Sequence, residues 1–290
     1  MKMERISEVG VAVRDLEATT RLYTQVLGAT PSKIMPVDRY GNRARMCRIG
    51  STDFRLMEPA TGTSSIAQLV TRRGDCLHHV GFQVPNVEEA IAWMKHNQVR
   101  MIDEVPRSED GVRFAFIHPE PFANVMYKLI EGSYDLNYIP EPPEQGDIPG
   151  GVRMERVLEV GVNVLDLEAA TSLITRVFGT RPTQVITVEM YDMLITMSRI
   201  GDIDIELMAS LTEDGVIARS LAKIGEGMSH IAFLVANMDD TLAWMKRNNI
   251  RLIDETPRYL ENLRVAFVHP AGFNGVMFEL IEGLHPWFDQ

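Results

Sequence analysis

The chain has 290 residues and a formal net charge of −11 at pH 7. An acid excess of that size is repelled by phosphate backbones and anionic headgroups, so nucleic acid and membrane surfaces are excluded as expected partners. No window is apolar enough for a membrane span, the opening Met1–Arg5 leads into no signal-like stretch, and the two cysteines, Cys47 and Cys76, share no repeated spacing; a soluble cytoplasmic protein without disulfides is the expectation.

The elements come in two series, because the chain is one sequence written twice. MERISEVGVAVRDLEATTRLYTQVLGATP, from Met3 to Pro31, returns as MERVLEVGVNVLDLEAATSLITRVFGTRP from Met154 to Pro182, and the offset of 151 holds to the closing HPEPFANVMYKLIEG and HPAGFNGVMFELIEG. The first strand alternates with period 2: Ser7, Val9, Val11 and Val13 on one face, Ile6, Glu8, Gly10 and Ala12 on the other. Its twin sets Leu158, Val160, Val162 and Val164 against Val157, Glu159, Gly161 and Asn163. A helix follows from Asp15, a candidate N-cap, to Leu27, with Gly28 as terminator; Asp166 and Gly179 bracket the copy. Three strands come next, the clearest being 53–57 and 203–208. A strand from His78, a helix capped by Asn86, and strands ending in VMYKLIE repeat the order at lower fidelity. Each half is thus two βαβββ modules, an α+β chain of two tandem domains, 1–134 and 154–290, joined by a Pro/Gly-rich linker, 135–153.

Alternation also places Glu159, Glu206, His230 and Glu279 on strand faces opposite apolar runs such as Val160-Val162-Val164 and Val276-Phe278-Leu280. These four side chains are expected on the sheet face that the helices leave uncovered. Their counterparts are Glu8, Arg55, His79 and Lys128. Three carboxylates and a neutral imidazole sum to −3, whereas the first-half set sums to +1. A third contrast at matched places is His78 against Ser229.

EVGVAVRDLEAT, EVGVNVLDLEAA, IARSLAKIGEGMSHIAFLV from Ile217 and RLIDETPR from Arg251 resemble the vicinal oxygen chelate superfamily, which holds glyoxalases, extradiol dioxygenases and bleomycin-resistance proteins. Within it, each half is most similar to the methylmalonyl-CoA epimerase family. The resemblance implies a curved mixed sheet in each half, with helices on its outer face and one divalent metal at its centre. It implies Glu159, Glu206, His230 and Glu279 as ligands, with Glu where relatives usually have His or Gln on the first strand. Such a set suits Mn, Fe, Co, Ni, Zn or Mg. In the first half Lys128 stands where a ligand carboxylate belongs and is expected to pair with Glu8, so that half is expected to have lost the metal.

The function so implied is a metal-dependent isomerase, epimerase or lyase of the glyoxalase type. It would act on a small carbonyl, carboxylate or thioester substrate through an enolate, with Glu279 and Glu159 as acid and base. Ile195 stands near where some epimerases carry a further glutamate, and no basic cluster for CoA phosphates is visible. An extradiol-type dioxygenase and a non-catalytic small-molecule-binding protein are the alternatives. A homodimer stays open, since two halves can supply within one chain the pairing that single-domain relatives obtain by dimerising. His118 and His269, each before proline, read as turn residues.

Overall fold

Apolar alternation in sixteen short strands, broken by capped amphipathic helices, builds two sheets of eight strands each. The computed structural model describes residues 3–35, 37, 40–136, 138 and 154–283. The first module is β1 (Arg5–Ala12), α1 (Leu16–Leu27), β2 (Thr30–Pro31), β3 (Asn42–Ile49) and β4 (Thr52–Pro59). Helix α2 (Ser65–Arg73) leads to the second module, β5 (Cys76–Gln83), α3 (Val87–His96), β6 (Arg107–Glu109), β7 (Val112–Ile117) and β8 (Met126–Glu131). The other half repeats the order. Its first module is β9 (Met154–Asn163), α4 (Leu167–Phe178), β10 (Ile186–Val188), β11 (Met193–Ile200) and β12 (Ile203–Ser210). Helix α5 (Val216–Ile224) follows, then β13 (Gly227–Val235), α6 (Met238–Arg247), β14 (Arg258–Leu260), β15 (Leu263–Val268) and β16 (Met277–Glu282). The connecting helices α2 and α5 are additions to the βαβββ order expected from sequence.

The strand order is β2-β3-β4-β1-β5-β8-β7-β6 in one half and β10-β11-β12-β9-β13-β16-β15-β14 in the other. In every module the first and last strands run parallel, and the two modules of a half meet antiparallel along β1 and β5 or β9 and β13. The centre of each sheet therefore brings together four strands from two modules; helices α1, α3, α4 and α6 cover one face, while α2 and α5 lie over the other, which sequence alternation had left uncovered.

The caps fall where the residues asked for them. Asp15 accepts from the Ala18 N–H at 2.8 Å, Asp166 from Ala169 at 2.9 Å, Asn86 from Glu89 at 2.9 Å and Asn237 from Asp240 at 3.0 Å. Each satisfies an N–H that the helix start leaves open. Gly28 and Gly179 end their helices in the left-handed region, at φ 68° and 70°. His118 and His269 are turn residues, their Nδ1 atoms accepting the N–H of Glu120 and Ala271.

Strict alternation fails where one strand carries an extra residue, and one such place in each half moves apolar side chains between faces. Against β5, Ile6 pairs with Phe82 and Glu8 with Gly81, so Ser7 is an extra residue, a β-bulge. Ile6 consequently joins Val9 and Val11 in the main core rather than sharing the face of Glu8. The same shift between Val157 and Glu159 sends Val157 into that core and Leu158 to the other face, beside Ala232, Leu263 and Val265.

The main core is shared by both halves. Tyr23 of α1 meets Phe273 and Phe278 edge-on, with centroids 5.9 and 6.1 Å apart, and Phe178 of α4 stacks on Phe122 at 5.3 Å. The exchange is reciprocal: the turn at Gly50 abuts Glu155 and Arg156, and the turn at Gly201 abuts Glu4 and Arg5. Helices α1 and α4 thus lie between their own strands and the opposite half.

Most of the expected linker, residues 139–153, lies outside the described residues. Its beginning is fastened to the first half, where Tyr138 Oη donates to Asp53 Oδ1 at 2.7 Å and accepts from Arg48 at 2.7 Å. No helix among the described residues is long and apolar enough to cross a membrane.

Candidate metal centre

Four adjacent strands of the second half each turn one ionisable side chain to the face opposite α4 and α6, beneath α5. In strand order they are Glu206 on β12, Glu159 on β9, His230 on β13 and Glu279 on β16. Glu206 lies across from Gly161, which lies across from His230 in turn, and Ala232 lies across from both Glu159 and Glu279. The small residues between them leave the long side chains room to lean together. Gly161 is required for this: a Cβ there would stand 2.2 Å from His230 Cε1.

One ligand atom from each of the four residues falls within 4.8 Å of all the others, and every one is buried, from 1% exposed at Glu159 to 9% at Glu279. The four residues singled out from sequence are thus brought to one point. His230 Nε2 lies 3.0 Å from Glu279 Oε2 and 3.4 Å from Glu206 Oε2, but off the line that a hydrogen bond to either needs. A buried ring nitrogen directed among carboxylates without a hydrogen bond is the arrangement of a metal ligand, and three hard oxygens with one imidazole suit a divalent first-row ion or magnesium. Burial alone would push the His230 imidazole down, yet Glu279, Glu206 and Glu159 together hold it up to about 9. The cluster gathers positive charge strongly enough to keep a proton on the ring. The residues fit a divalent cation.

The cluster forms the floor of a cavity of about 410 Å³, within the usual range for a small-molecule site. Its walls are mainly apolar, including Met193, Met208, Ile217 and Phe267. Ile195 is buried on the same side, in the cluster with Met197, Met208 and Ile217. Sequence reasoning missed the polar groups of this cavity. Arg258 Nε donates to Asp254 Oδ1 at 2.7 Å, and its guanidinium lies 5.2 Å from the Tyr191 ring. Asn163 Nδ2 donates to Ser220 Oγ at 3.0 Å. Arg258 and Tyr191 have identical residues 151 positions earlier, Arg107 and Tyr40, and that identity was the available signal.

At the matched place in the first half the charges are internally paired. Lys128 Nζ donates to Glu8 Oε1 at 2.8 Å, and His79 Nε2 lies 2.7 Å from the same oxygen. Arg55 turns to Glu109 Oε1 at 2.9 Å, and Tyr134 Oη accepts from Lys128 at 2.6 Å. Burial pushes the Glu8 carboxyl up, but Lys128 and His79 bring it well below 4.5. The expected Lys128–Glu8 pair is present, with an ammonium where the second half has the Glu279 carboxylate.

The family model for the glyoxalase/bleomycin resistance protein/dioxygenase superfamily matches this chain twice, over residues 7–116 and 159–267. Mitochondrial methylmalonyl-CoA epimerase of Mus musculus is 30% identical over 130 residues, covering 44% of this chain and 73% of that protein. An uncharacterised protein of Bacillus subtilis is 32% identical over 130 residues, 44% of this chain and 93% of its own length. Among solved structures, a mutant of 4-hydroxymandelate synthase from Streptomyces coelicolor superposes over 97% of this chain and 93% of that one, with a TM-score of 0.74 and 16% identity, a likeness of fold. With the family model matched in both halves, over well more than half of its length, the chain belongs to the glyoxalase/bleomycin resistance protein/dioxygenase superfamily.

Proposed function

We propose that the chain is a metal-dependent isomerase or epimerase, with a lyase as its close chemical variant, that moves a proton at the carbon beside a carbonyl or thioester. The observation that carries this reading is the convergence of Glu159, Glu206, His230 and Glu279 on one point at the floor of an apolar cavity. A divalent ion held by the four would supply Lewis acidity toward charge developing on a substrate oxygen. Glu159 and Glu279 stand on the strands flanking that of His230, so the reading makes one the base and the other the acid. The apolar walls keep water from the carbon acid, which favours return of the proton from a carboxylate. Arg258, the guanidinium of this cavity, suits a carboxylate or carbonyl at the far end of the substrate. The names of the curated relatives, methylmalonyl-CoA epimerases, point the same way.

The other reading is an oxygen-dependent dioxygenase. The 4-hydroxymandelate synthase likeness supports its fold and nothing finer, while a fourth protein ligand counts against it, since such chemistry needs vacant positions for substrate and oxygen. The test is anaerobic incubation of metal-loaded protein with a methylmalonyl thioester in deuterated water. The reading expects deuterium at the carbon acid, lost by roughly two orders of magnitude or more in Glu279→Gln. Product formed only with oxygen consumption, or without carbon-bound deuterium, would replace it with the dioxygenase.

A further inference from the structure

The first half holds a cavity of its own, of about 340 Å³. Every residue lining it has its counterpart, 151 positions on, lining the second-half cavity. The walls are kept: Met57, Ile66, Phe116 and Met126 match Met208, Ile217, Phe267 and Met277. Arg107 over the Tyr40 ring, at 5.2 Å, repeats Arg258 over Tyr191. A half retained only as a structural support would be expected to fill this space with side chains, because empty volume costs packing energy. Here the container persisted while the floor changed.

The floor has changed in a specific way. Its cations are matched by protein carboxylates: Lys128 by Glu8, Arg55 by Glu109, and Arg107 by Asp103. No net charge remains to draw in an anion or a metal. Beside these pairs runs a chain of three groups. His79 Nε2 lies 2.7 Å from Glu8 Oε1, and His79 Nδ1 lies 2.8 Å from His78 Nδ1. Glu8 is ionised and can only accept, so neutral His79 must carry its proton on Nε2 and offer a lone pair at Nδ1. His78 must then donate from Nδ1, which leaves its Nε2 as an acceptor. His78 lines the cavity, and its hydrogen bond among the described residues is made through Nδ1, not Nε2. Burial, reinforced by the charges of His79, Lys128 and Arg55, pushes the His78 imidazole down to about 3, so it stays a neutral acceptor. The second half has Ser229 at this position and no such chain.

We propose that the first-half cavity is a metal-free binding site for a small, uncharged molecule that presents a hydroxyl to His78 Nε2 from a flat apolar body. The Phe114 and Phe116 rings and the Met57 and Ile66 side chains receive that body, and the Glu8–His79–His78 chain reads the hydroxyl. The proposal is independent of the chemistry assigned to the second half.

Phenol is the probe and toluene its control of like shape without the hydroxyl. The full chain, with histidine labelled by nitrogen-15 and chelator present, is titrated with each, and His78→Phe identifies the His78 signal. The expected result is a saturable displacement of the unprotonated His78 Nε2 signal by phenol and none by toluene. In a chain whose second cavity is filled by Ile217→Trp, His78→Phe should weaken phenol binding about tenfold, the loss of one buried hydrogen bond. Ile66→Trp, which fills the first cavity and leaves His78 in place, should abolish it. A His78 signal unmoved by phenol, or equal affinity in His78→Phe, overturns the proposal.

Discussion

Replacing Lys128 by Met tests whether the first half is held by an ion pair in place of a metal. Lys128 is 2% exposed and Glu8 1%, and the ammonium reaches Glu8 Oε1 at 2.8 Å and Tyr134 Oη at 2.6 Å. Met fills similar volume beneath Phe114 but leaves a buried carboxylate with His79 as its hydrogen-bond donor. Breaking a buried pair from one side costs about 3–5 kcal/mol, and we expect about 4 kcal/mol at pH 7. Removing both charges, as Lys128→Met with Glu8→Gln, should recover all but about 1 kcal/mol, because the amide oxygen still accepts from His79. The pH dependence follows from Glu8. Its carboxyl is held well below 4.5 in the folded wild type, so its stabilising contribution is present above 4.5 and is lost as pH falls through the folded value. In Lys128→Met burial is no longer opposed by the ammonium, the folded carboxyl rises, and acid relieves the variant as it weakens the wild type. The gap should therefore begin to narrow above pH 4.5, as the variant's carboxyl takes up its proton, and go on narrowing below it as the wild type loses its pair. Urea unfolding of the three proteins at pH 7 and pH 4 measures it. A gap under about 1 kcal/mol at pH 7, or a double variant as unstable as the single one, would refute the reasoning.

Gly161→Ala places a methyl 2.2 Å from His230 Cε1, so the ring must turn away; divalent-ion affinity should fall by roughly 10–100-fold with the circular dichroism spectrum unchanged. Arg55→Glu with Lys128→Glu gives the first half the ligand types of the second, and with excess manganese the chain should take up one more ion than wild type; unchanged stoichiometry would mean that Tyr134 and Glu109 already close that floor.

The site was legible because its signal is covalent in the sequence. A constant offset pairs Lys128 with Glu279 and Arg55 with Glu206, and alternation holds through Glu206 on β12, from His230 onward on β13 and through Glu279 on β16. The face assignments failed at Ile6, Val157 and Leu158, where a bulge adds a residue to one strand and reverses the alternation before it; period-2 reasoning cannot locate such an insertion without the partner strand. Helix α2 carried a readable start, since Ser64 Oγ accepts the Ala67 N–H at 3.0 Å, but its nine residues are too short for periodicity to separate it from a loop. The contact of α1 and α4 with the opposite half was hidden for another reason: Tyr23 against Phe273 joins residues 250 apart in sequence, and a helix that meets its own strands carries no sign of what else packs on it. Tyr134 was missed because it stands past the last strand, at the end of the expected domain, where no periodicity marks its side chain.

The most direct test of the whole account is metal content per chain. Protein purified without chelator, stripped, and reloaded with manganese should bind one ion, and Glu206→Gln with Glu279→Gln should bind none while Lys128→Ala still binds one. Two ions in the wild type, one ion surviving in the double glutamine variant, or none in any of them would contradict a single carboxylate-rich centre in the second half.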